Sequence, residues 1–268
     1  MMLSLSLRLR PHTFPLLSPL STTSQPAKRA SLTFRNPYSS SPRMSSSSAF
    51  PQQVIEHIVL FKVREGTEQS KVNAMMSGLN GLNSLDQVLY LTAGPVLRSA
   101  SSLFSFTHML HSRYSTKDDL SAYSAHPEHL RVVRETGLPI CEDIMAVDWI
   151  ADGFSGPLAP PPESALKVSF LKLKEDLGDA VKDEVLGVIR GIKDGPAAVE
   201  QLTCGENFSP ARAKGFSVAS LAVFKGVAEM EAAESNKELV ESRKEKVREY
   251  LDGVIVIDFV VPGSSSNL

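Results

Sequence analysis

Cysteine is almost absent from this chain. Cys141 and Cys204 are the only two in 268 residues. They show neither a metal-ligand spacing nor a disulfide framework, so both read as reduced thiols in or near a core. Positive charge is not in excess either. The net charge of −2 offers no general attraction to polyanions, so no nucleic-acid partner is expected. No apolar run approaches the roughly 18–20 residues that span a bilayer, so no membrane partner is expected. Acidic residues are missing from one place only: the first is Glu56.

What fills that acid-free stretch is serine and arginine. Arg8, Arg10, Lys28, Arg29, Arg35 and Arg43 lie among many serines, and arginines interrupt the apolar start "MMLSLSLRLR". That composition predicts an organellar transit segment over 1–52, of the kind that leads to a chloroplast. Met44 offers a second start that would discard most of it. At the other end, Ser266-Asn267-Leu268 is similar to the peroxisomal tripeptide Ser-Lys-Leu, with Asn267 in place of the basic residue. The two ends predict two addresses, plastid and peroxisome.

Between the ends the chain repeats itself. "HIVLFKV" at 57–63 faces "KVSFLKL" at 167–173, and "AVDWI" at 146–150 faces "VIDFV" at 256–260, both at an offset of 110 residues. The Gly/Pro/Ser segment 153–163 separates the copies and reads as a linker. This gives one domain over 53–152, a second over 164–262, and a tail over 263–268. Each copy reads strand, helix, strand, strand, helices, strand. Strands are expected at 55–63, 87–92, 103–112 and 143–150, and in the second copy at 166–173, 198–203, 215–224 and 253–261. Helical stretches are expected at 68–82, 116–124 and 127–135, then at 178–191 and 226–250. The order β-α-β-β-α-β is ferredoxin-like, an α+β class. The first and last strands are apolar at nearly every position, which predicts burial on both faces. Helices cover one face. The sheet of the other copy covers the second, giving a pseudo-dimeric α/β barrel within one chain.

The candidate site residues lie in the first copy. "SAYSAHPEHL" at 121–130 corresponds to "EAAESNKELV" at 231–240, which has lost its tyrosine and both histidines. Pro127 suits a first helical position with His126 as the cap before it, and His129 is then expected to point inward beside Leu130. His57 shares strand parity with Val59 and Phe61, and His108 shares it with Phe104 and Phe106. Both imidazoles should therefore rise from an apolar sheet face. His111, on the opposite parity, reads as structural, as does Asp148 before Trp149, while Glu56 and Lys62 read as solvated or edge charges. Three readings of the His57, His108, Tyr123 and His129 set stay open: structural histidines, a pocket for a small hydrophobic molecule, and acid–base catalysis. An imidazole can remove a proton next to a carbonyl. A tyrosine hydroxyl can stabilise the resulting oxyanion.

"EHIVLFKV", the "HPEH" turn and the closing "AVDWI" resemble the stress-responsive dimeric α/β-barrel (Dabb) family, present here in tandem as in plant members. The resemblance implies a stress-associated barrel protein. It also implies a comparison with the cofactor-free polyketide cyclase of that family, olivetolic acid cyclase, whose catalytic histidines and tyrosine fall on His57, His108, Tyr123 and His129. No cofactor is required on that comparison. A magnesium ion held by the main-chain carbonyls of Leu79, Leu82 and Leu85 is a further implication of the family. The second copy holds Lys167, Ser220, Ala233 and Leu239 at the matching places, so it is expected to supply barrel rather than chemistry.

Overall fold

The computed structural model describes residues 53–101, 103–193, 195 and 198–263. The transit segment, Met44 and the Ser266-Asn267-Leu268 tripeptide lie outside the described residues.

The first copy builds β1 (Gln53–Val63), α1 (Gln69–Gly81), β2 (Tyr90–Pro95), β3 (Arg98–Ser101), β4 (His108–Tyr114), α2 (Lys117–Ala125), α3 (Pro127–Val132) and β5 (Cys141–Asp152). The second builds β6 (Ala165–Leu173), α4 (Asp179–Arg190), β7 (Val199–Glu206), β8 (Val218–Phe224), α5 (Val227–Ser235), α6 (Lys237–Arg248) and β9 (Leu251–Val260). Two antiparallel sheets result, ordered β2-β4-β1-β5 and β3-β9-β6-β8-β7. The α+β architecture of two ferredoxin-like halves closing on each other is the expected one. Their facing sides share one core, with Ile58, Leu60, Met109, Val147 and Trp149 packed among Leu166, Phe170, Leu221, Ile257 and Phe259. On the outer face of the first sheet, Val72, Met75 and Leu79 of α1 and Leu120 and Tyr123 of α2 cover Ile55, Phe61, Leu110 and Tyr114.

The third strand departs from its expected bounds. Phe104 and Phe106 do not share a strand with His108. They precede β4, stack on each other and turn into the core between the sheets beside Phe216. The residues before them form β3, which pairs with β9 of the other half, Arg98 opposite Asp258. In return Asn207 bridges Trp149 at the edge of β5. The main chain repeats the exchange: Leu97 N–H donates to Asp258 O (2.8 Å), and Phe208 N–H donates to Asp148 O (3.0 Å). The second-half stretch 226–250 also divides. Asn236 breaks it and caps α6, its side chain accepting from Leu239 N–H, as His126 caps α3 by accepting from Glu128 N–H.

Glu56 is not a solvated charge. It is fully buried between the sheets, as are His111 and Arg113. Arg113 donates to both Glu56 oxygens, His111 Nε2 donates to Oε2 (2.7 Å), and Thr203 of β7 donates to Oε1 (3.0 Å). Arg113 also reaches Gln201 Oε1 (2.6 Å) and the Leu158 carbonyl in the linker (2.6 Å). Burial by itself would raise the Glu56 pKa, but Arg113 and His111 hold it at about 2. Lys62, by contrast, is a surface residue paired with Glu142 (2.5 Å).

Candidate functional site

His57 lies opposite Asp148 in the β1–β5 ladder and opposite Ser112 in the β1–β4 ladder. Its Nδ1 bonds the Asp148 carboxylate. An Asp on Nδ1 fixes the imidazole tautomer and leaves Nε2 as the free basic nitrogen. The residue shares the outer, helix-covered face with Tyr114, whose ring centroid is 6.2 Å away, and with Tyr123 at 6.3 Å. The two tyrosine rings meet at 5.2 Å, and the Tyr114 hydroxyl bonds the Ser112 hydroxyl (3.0 Å). Burial pushes both phenols well above their usual pKa, so they act only as neutral donors and acceptors. His129 closes the cluster from α3: its ring is 4.6 Å from Tyr123, and its Nδ1 bonds the Ser124 carbonyl (3.0 Å). Burial lowers its pKa, so the neutral ring is favoured.

The cluster is sealed. His57 and Asp148 are 4% exposed, Tyr123 1% and Tyr114 0%. His129 is half-buried and forms its outer edge. Leu130, expected to turn in beside it, is instead half exposed. The helix register carries His129 toward Tyr123 and Leu130 away.

His108 stands apart from the other three. It faces Phe61 rather than His57 in the ladder, four residues along β4 from Ser112 and so roughly 13 Å away by strand rise. Its Nδ1 bonds the neighbouring Thr107 hydroxyl (2.9 Å), and partial burial lowers its pKa. The structure therefore brings together His57, Tyr123 and His129, and adds Asp148 and Tyr114. The signal for Asp148 was present in the sequence: it recurs as Asp258, at the same offset that relates His57 to Lys167.

Asp148 keeps a low pKa despite burial, because His57 bonds it and Ser209 and Arg212 of the second half lie close by. In the second half, Lys167 and Arg98 both engage Asp258, and Lys167 also pairs with Glu234 (2.7 Å). The ladder sets Val218, not Ser220, at the place of His108: Lys167 faces Ala222 as His57 faces Ser112. What is a His–Asp–Tyr site in one half is an ion-pair cluster in the other.

At the first helix, the carbonyls of Leu79, Leu82 and Leu85 each accept one backbone N–H, from Leu82, Leu85 and Val88. Each keeps a second lone pair, a donor type that suits a hard cation. Magnesium there stays an implication of the family and would act as a staple on the loop after α1, away from the His57 cluster.

The stress responsive A/B barrel domain pattern matches twice, at residues 55–151 and 166–261. The chain belongs to the stress-responsive A/B barrel family. It is 52% identical over 254 residues to a stress-response A/B barrel domain-containing protein of Arabidopsis thaliana, covering 94% of this chain and 96% of that one. With a second Arabidopsis protein of the same description, DABB1, it shares 45% identity over 214 residues, 79% of this chain and 99% of the relative. Among solved structures, an anthrone oxidase-like protein superposes with a TM-score of 0.54 at 11% identity, covering 81% of this chain and 95% of that one. That likeness is one of fold alone.

Proposed function

We propose that this stress-response barrel protein binds a small hydrophobic molecule in its first domain, at the His57–Asp148–Tyr123–His129 cluster. One observation carries the reading. Two halves of the same fold differ at these positions, and the first keeps a histidine oriented by a buried carboxylate beside two neutral phenols. A carbonyl or hydroxyl on an apolar body suits that lining: the imidazole accepts or donates, and the phenols donate. The cluster is closed in this structure, and a ligand would enter by displacement of the half-buried His129 at the α2–α3 junction, whose ring lies 4.6 Å from Tyr123.

The oriented dyad favours a second reading, a cofactor-free cyclase. His57 Nε2 would take a proton next to a carbonyl, Asp148 would stabilise the imidazolium formed, and Tyr123 would hold the enolate oxygen. The size of the effect separates the two readings. A positioned base contributes about 10²–10⁴-fold in rate. A lost buried hydrogen bond costs about 1–3 kcal/mol in affinity.

The test uses 2-naphthamide, an apolar carbonyl probe, with the histidine ring signals followed by NMR. The wild type should show His57 and His129 shifting together, and His57→Ala should weaken binding roughly fivefold or more. Lys167→Ala should leave it unchanged. If no ring signal moves and His57→Ala only lowers the melting temperature, the cluster is structural.

A further inference from the structure

The second domain holds no copy of the cluster, yet its chain runs directly over the first one. After β7 the segment Asn207–Arg212 lies along the edge of β5. Asn207 Oδ1 accepts from Asp148 N–H (3.1 Å) and from Ser209 N–H (3.0 Å), and Phe208 N–H donates to Asp148 O (3.0 Å). The segment is thus pinned at two points to the residue that orients His57, and the third bond, within the segment, holds its turn. The Phe208 side chain packs against the same apolar cluster as Tyr114 and Tyr123. Lys117, at the start of the helix carrying Tyr123, sits over its ring at 4.2 Å. Phe208 also lines an open cavity of about 560 Å³ along the seam between the domains, with Ile150, Leu186 and Leu202 as apolar wall.

The two seams differ in one decisive way. At the first-domain arm, Leu97 N–H holds Asp258 O and the next residue, Arg98, bonds the Asp258 carboxylate at 2.7 Å. At the matching place in the second-domain arm, Phe208 N–H holds Asp148 O and the next residue is Ser209. Asp148 is therefore left to His57. The cation of this arm comes three residues later, as Arg212, at the end of the turn Pro210–Arg212 that packs on β5. Arg212 is exposed and makes no salt bridge among the described residues. That turn packs on β5, the strand of Asp148, which puts the Arg212 charge near Asp148 and His129 at the outer edge of the cluster.

We infer that the second domain completes the first domain's site through this segment, with Phe208 as the wall shared with the seam cavity and Arg212 as the residue that reads a negative group on the ligand. The ligand class is then a hydrophobic organic anion, a carboxylate on an apolar body. This rests on the first-domain binding reading and sharpens it. A guanidinium that no carboxylate has claimed matches a carboxylate in two parallel bonds. The guanidinium is exposed, so a bound carboxylate reaches it from the solvent side without displacing a protein partner.

The experiment compares 2-naphthoate with its neutral amide, 2-naphthamide, on the full chain by calorimetry. The wild type should prefer the acid about two- to fivefold, the worth of an ion pair at an exposed guanidinium. Arg212→Gln should remove the preference and leave amide affinity and melting temperature unchanged. Phe208→Ala should weaken both probes alike. Lys193→Gln, which removes a cation from the far wall of the seam cavity, should change neither. If the preference survives Arg212→Gln, is lost in Lys193→Gln, or is absent from the wild type while the amide still shifts His57, this inference falls and the binding reading stands. If neither probe binds, both fall.

Discussion

Glu56 and His57 are neighbours in sequence and point to opposite sides of β1. His57 faces the helices, on the side of β1 that also carries Val59 and Phe61. Glu56 faces the core between the sheets, where a lone carboxylate would be intolerable. The sequence reading assigned it to solvent because its partners, Arg113 and His111, are 57 and 55 positions away and Thr203 is 147 away. Strand parity could have linked the first three, since Met109, His111 and Arg113 share a face. No parity argument reaches Thr203, which belongs to the other domain. The second half shows what the alternative looks like: the ladder sets Leu166, Leu221 and Val223 at the places of Glu56, His111 and Arg113, all buried. This predicts a non-additive pattern. Glu56→Leu alone leaves the guanidinium buried without its carboxylate and should cost about 3–5 kcal/mol. The triple change Glu56→Leu, His111→Leu, Arg113→Val copies the second half and should recover most of that loss. Urea unfolding of the three-variant series measures it. A triple variant no more stable than the single one would refute the argument.

Among elements, those set by local rules were readable and those set by distant pairing were not. The cap at His126 and the start of α3 at Pro127 follow from residues adjacent in the chain. So do the long apolar strands β1 and β6. The bounds of β4 were misread because Leu103 to Phe106 look like a strand but bury their phenylalanines between the sheets. The short strand β3, "RSAS", carries no strand signal, because its pairing with β9 lies about 160 residues away. Its hold on the second domain can be tested at Leu97. Leu97→Pro deletes the N–H that reaches Asp258 O and leaves a backbone acceptor unpaired, a loss of about 1–3 kcal/mol. The loss should be local. Hydrogen exchange should quicken in β3 and along Ile255–Asp258 of β9 while β1 and β4 keep their protection. Uniform quickening over both sheets would show that the arm is not a separate fastening.

For the whole molecule, the 110-residue offset already implied a barrel closed inside one chain, because both sheets needed a cover for a second apolar face. The structure adds what the pattern could not: the halves are not interchangeable. The inner face of the first sheet carries Ile58, Leu60, Met109, Val147 and Trp149, and also the Glu56–Arg113–His111 group. The further partners of that group, Thr203, Gln201 and Leu158, all lie beyond residue 152. A first domain cut free at 53–152 would therefore expose a large apolar face and lose the remaining bonds of a buried ion pair together. Pairing with a second copy of itself would cover the apolar part but would set two such ion pairs in one core without Thr203 or Gln201. Light scattering of the isolated domain should show dimers or aggregates of low stability. Co-expression with 153–263, which restores the linker carbonyl and the second sheet, should return a soluble one-to-one complex. A stable, soluble monomer of 53–152 would sink the pseudo-dimer account. A homodimer as stable as the full chain would sink the claim that the polar group fits only the second domain.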